Sequence, residues 1–119
     1  MSNKREFKKY VEAIGGSICD EMMIAFYNVE GADKEKIQNS ITRVLCATGT
    51  ATGNANVFFD KGMKAFGSAG EYAKAKRQFF KQLFAKINSD FVKEINEALK
   101  EFNAAIPESA KAEQKAAAN

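Results

Sequence analysis

Apolar residues recur at three- and four-residue steps along most of the chain, the spacing of one helical face. The first run is Phe7, Tyr10, Val11, Ile14, Ile18, Met22, Ala25, Phe26 and Val29, a helix of about seven turns. Asn3 followed by Glu6 has the form of a capping box, and Gly31 suits the left-handed residue just past a helix end. Gly15-Gly16 interrupts the run without shifting its phase. The pattern therefore predicts one helix through the pair, with another element packed closely against it.

The second run, Ile37, Ile41, Val44, Leu45 and Thr48, predicts a helix capped by Asp33. Residues 47–56, ATGTATGNAN, carry no large side chain. At period two, Thr48, Thr50, Thr52, Asn54 and Asn56 alternate with Gly and Ala. At period four, Ala47, Ala51 and Ala55 form one row, as in a helix packed tightly on a neighbour. A lone strand is implausible without a partner strand. The expected arrangement is a helix end, a glycine-rich loop, and a new helix from about Asn54 through Phe58, Phe59, Met63 and Phe66 to Gly67.

Ser68-Ala69-Gly70-Glu71 is a capping box and the clearest helix start in the chain. The stripe after it is Tyr72, Phe79, Phe80, Leu83, Phe84, Ile87, Phe91, Val92, Ile95, Leu99, Phe102 and Ile106. Asn88-Ser89-Asp90 either divides this run into two helices or forms an exposed turn of one. Pro107 ends it. The predicted fold is an all-α bundle of four to five helices, a single domain over residues 1–106. A flexible, alanine-rich C-terminal tail spans residues 107–119. Adjacent large pairs such as Met22-Met23 and Phe79-Phe80 point about 100° apart, so burying both requires a wide apolar face. Long helices with wide faces predict a homodimer.

Composition narrows the chemistry. The 119 residues include no histidine, which excludes Ser-His-Asp and Cys-His nucleophile systems and histidine metal sites within one chain. The two cysteines, Cys19 and Cys46, sit in apolar stretches and are expected to be buried thiols of a cytoplasmic protein. Glu12 interrupts the only candidate for a signal-peptide core, and the longest apolar run, residues 22 to 27, is far too short to span a bilayer. No cofactor fingerprint is present; Gly49-Thr50-Ala51-Thr52-Gly53-Asn54 lacks the lysine and the preceding strand of a phosphate loop.

The formal charge is +3, from 18 basic and 15 acidic residues, but the basic residues cluster. Lys4, Arg5, Lys8 and Lys9 crowd the first helix. Lys74, Arg77 and Lys81 share a face of the last, where Lys76 and Lys86 add further charge. Lys4, Arg5, Lys8, Lys9, Lys74, Arg77 and Lys81 are the candidate anion-binding site. Lysine dominates over arginine, which occurs only at positions 5, 43 and 77, and this weakens a base-reading role. Glu94, Glu97 and Glu101 read as surface carboxylates, with Lys93 and Lys100 within helical reach of Glu97. Ten phenylalanines supply either a core or a pocket for greasy ligands. The expectation is a non-catalytic binding or interaction module with a protein partner. The alternatives are a nucleic-acid or anionic-surface binder, and a carrier of a hydrophobic small molecule.

Overall fold

The computed structural model describes residues 4–57, 59 and 62–108, apart from the side chain of Met63. Three α-helices make up most of it: α1, Lys4–Asn28; α2, Lys34–Asn54; and α3, Ala69–Ala105. A short 3₁₀ turn, Met63–Ala65, lies in the connector between α2 and α3. The all-α class holds, with three α-helices in place of the four to five expected.

Local signals set most of the boundaries. Asp33 accepts a hydrogen bond from the Lys36 amide at 3.2 Å and so caps α2. Gly31 has φ +80°, the left-handed conformation that a glycine takes at least cost. Ser68 Oγ accepts from the Glu71 amide, and the Glu71 carboxylate reaches back to the Gly67 amide at 2.9 Å. The capping box is thus present, with its return bond one residue before the cap. Asn3 lies outside the described residues, and so does the expected tail from residue 109 onward.

The expected loop at residues 47–53 is instead helical, and no helix begins at Asn54. The period-four reading applies: Ala47, Ala51 and Ala55 are all buried. Their lack of bulk lets α3 approach closely. The threonines that gave the strand-like alternation bond within the helix. Thr48 Oγ1 donates to the Val44 carbonyl at 2.8 Å, and Thr52 Oγ1 to that of Thr48 at 3.0 Å.

The glycine pair of α1 divides in role. A Cβ at Gly15 would collide with Thr48 of α2, whereas Gly16 faces open space. Gly15 is therefore the close-packing point between α1 and α2. α2 runs antiparallel to both other helices. Its start is tied to the end of α3 by the Asp33 amide donating to the Ala105 carbonyl at 2.9 Å. α1 lies parallel to the second half of α3, where Phe7 stacks on Phe84 with ring centroids 4.8 Å apart. The core joins Phe7, Val11 and Met22 of α1, Ile37 and Val44 of α2, and Ile87, Phe91 and Ile95 of α3.

Three expected stripe positions turn outward: Tyr10, Leu45 and Val92 are 39%, 59% and 42% exposed. Cys19 is buried as expected, but Cys46 is exposed. Position 46 lies off the row formed by Ala47 and Ala51, so its apolar neighbours in sequence do not bury it. α3 is one unbroken helix, about 55 Å long at 1.5 Å per residue. It is the long axis of a molecule measuring 65 × 29 × 18 Å.

Candidate functional site

α1 and α2 cover only part of α3. Phe7 meets Phe84, and the two helices run parallel with the same rise per residue, so Lys4 stands level with Lys81. The end of α2 meets α3 near Ile87, where Ala51 and Asn54 share a small cavity with Ile87 and Phe91. Residues 69–80 of α3 thus run on by about 20 Å past the described parts of both neighbours.

The face of α3 that enters the core does not stop at Phe84. At three- and four-residue steps it reads Ala73, Arg77, Phe80, Phe84, Ile87, Phe91, Ile95, Ala98, Phe102 and Ala105. From Phe84 onward this seam is buried, with Phe102 packed at its edge. Before Phe84 it opens into a groove with a volume of about 1230 Å³. Six aromatic residues line the groove: Phe7 and Tyr10 of α1, Phe59 of the connector, and Tyr72, Phe80 and Phe84 of α3. Four cations join them: Lys4, Lys76, Arg77 and Lys81. None of the described lining residues is acidic. Long basic side chains suit such a position, because their methylenes cover apolar surface while the charge stays wet.

The rings are held by one another. Phe59 meets Phe66, Tyr72 and Phe79 at centroid distances of 6.1, 5.8 and 5.4 Å, so the connector is pinned to α3 by aromatic contacts. Phe80 leans on Phe84 at 5.8 Å, and the Lys76 ammonium sits 5.9 Å from the centre of the Tyr72 ring. At the inner end Asn88 also lines the groove; its Oδ1 is buried, and no donor among the described residues reaches it.

The structure gathers three of the seven candidate anion-binding residues, Lys4, Arg77 and Lys81, and adds Lys76. Arg5, Lys9 and Lys74 are exposed, Lys8 is half-buried, and none of these four lines the groove. The i, i+4 row Tyr72, Lys76, Phe80, Phe84 and Asn88 was a usable signal in the sequence. Phe59 carried none, because its place depends on how the connector folds back.

A second, smaller cavity of about 230 Å³ lies between α2 and α3 and is bordered by the Arg43–Glu94 pair. Arg43 Nε donates to Glu94 Oε2 at 3.0 Å across the two helices. This bond, with Glu97 and Glu101 nearby, holds the guanidinium above its ordinary pKa. Glu94 thus ties α3 to α2. Among the described residues, no cluster of Cys, Asp and Glu could hold a metal ion, and no helix is long and apolar enough to cross a membrane. Comparison with known protein families, curated proteins and solved structures finds no significant match.

Proposed function

We propose that this chain is a non-catalytic binding protein of the cytoplasm. Its site is the open groove at the first half of α3, and its ligand combines an apolar body with negative charge. The observation that carries this reading is the lining: six aromatic side chains and four cations, with no acidic residue among the described lining residues. Rings and cations of this kind attract and orient, and the chain has no histidine to move protons near neutral pH.

The same lining weighs against a single-stranded nucleic acid. Binding of that kind uses free ring faces on which bases stack. Here Phe7 is stacked on Phe84, Lys76 sits over Tyr72, and Phe80 is flanked by Phe79 and Phe84. A homodimer through this face is also disfavoured, since it would bring two cationic rims together. A small hydrophobic cargo fits only if it is anionic.

The test uses the anionic apolar dye anilinonaphthalene sulfonate, whose fluorescence rises on binding. Wild-type protein should enhance it, and Arg77→Glu should reduce the enhancement several-fold at low salt without loss of helical circular dichroism. No enhancement by the wild type, or equal enhancement by the variant, would count against the groove as the site.

A further inference from the structure

We infer that the occupant of the groove is an acidic amphipathic helix supplied by a different protein, seated on the open part of the α3 seam. This inference rests on the reading of the groove as a binding site for an apolar, anionic ligand. Three observations narrow that ligand to a helix.

The first is continuity. Ala73, Arg77 and Phe80 occupy the same seam of α3 that α1 and α2 cover from Phe84 onward. In its second half this seam is already a helix-packing surface. A helix seated on its first half would extend the packing that is present, with ridges entering grooves in the same way. The second is size. Small-molecule pockets enclose about 300–1,000 Å³. The groove is larger, at about 1230 Å³, and runs for four turns between Tyr72 and Asn88. That length, about 24 Å, matches a helix of about 16 residues.

The third is charge complementarity. Arg77 is a cation at a position where the buried half of the same seam carries Phe, Ile or Ala. Lys81 and Lys4 flank the groove one turn further on. A partner helix that placed leucine or a similar residue against Phe80 and a carboxylate against Arg77 would satisfy both. Helix-in-groove recognition reads apolar anchors at i, i+3, i+4 and i+7, and flanking charge sets the choice of partner. A second copy of this chain offers the wrong sign, because residues 72–89 of α3 hold five cations (Lys74, Lys76, Arg77, Lys81 and Lys86) and no carboxylate.

The experiment measures fluorescence anisotropy of a labelled helical peptide of about 18 residues, with leucine along one face and glutamate on both flanks, added to the full chain. A peptide with lysine in place of every glutamate is the control. Dodecanoate below its micellar concentration and a uridine oligonucleotide are the competing probes. The glutamate peptide should bind at least tenfold more tightly than the lysine peptide, and binding should weaken as salt rises. Arg77→Glu should reduce the preference several-fold, with unchanged helical circular dichroism showing that the variant is folded. Equal affinity for the two peptides overturns the inference. So does binding of dodecanoate or of the oligonucleotide without binding of the glutamate peptide. Dodecanoate binding would leave the underlying reading intact. Failure of both the dye and the peptide would remove the inference and the reading together.

Discussion

The two halves of α3 share one helix and one seam, yet they live in different surroundings. From Phe84 to Ala105 the seam is pressed against α1 and α2, and Phe91, Ile95 and Ala98 are 3%, 6% and 0% exposed. Before Phe84 no seam residue is buried, and cations stand among the rings. The spacing is the same, so periodicity alone cannot separate core from binding surface. What separates them is where the neighbouring helices end. The described part of α1 and the end of α2 reach about the same level of α3, and beyond that level the packing face becomes a groove.

The largest expected contrast is in stability. Phe91→Ala should cost about 3–5 kcal/mol, since it empties a filled site in the clasped half. Phe80→Ala, in the open half, should cost about 1 kcal/mol yet weaken binding of the glutamate peptide several-fold. Urea denaturation of both variants checks this. Equal losses would mean that the open half is as tightly held as the clasped one.

A second contrast lies between α1 and α2. Gly15→Ala forces Thr48 to move and should destabilise by about 1–3 kcal/mol. Gly16→Ala meets nothing and should stabilise by about 0.5–1 kcal/mol, the usual gain for a helix interior. Adjacent glycines with shifts of opposite sign in thermal unfolding would confirm the close approach.

The smallest contrast concerns the thiols. Iodoacetamide should label exposed Cys46 in the native protein and reach buried Cys19 only on unfolding. Burial, aided by Asp20, raises the Cys19 pKa, so the folded chain holds this proton more tightly than the unfolded one. The resulting stabilisation is complete below the ordinary thiol range and fades as pH rises through the folded-state pKa. The stability advantage of wild type over Cys19→Ala should therefore shrink above about pH 8.5.

Much of this architecture was legible in the sequence where the signal was local. The stripes of α1 and α3 and the caps at Asp33 and Ser68 depend on residues within a turn of one another. Residues 47–54 were misread because Gly and Thr disfavour a helix by themselves. Their helix exists because Ala47 and Ala51 fit against α3, a contact distant in sequence. The site was legible in kind, as rings interleaved with cations. Which cations gather depended on the pairing of Phe7 with Phe84. That register brings Lys4 to the groove that Lys81 also lines and leaves Arg5, Lys8, Lys9 and Lys74 outside.

The most direct measurement is native-state hydrogen exchange along α3 in the free protein, residue by residue. Amides from about Phe84 to Phe102 should exchange only with global unfolding. Those from Ala73 to Phe80 should exchange many-fold faster and slow when the glutamate peptide is added. Uniformly slow exchange along the whole of α3 without any ligand would contradict the division of this helix into a clasped half and an open one.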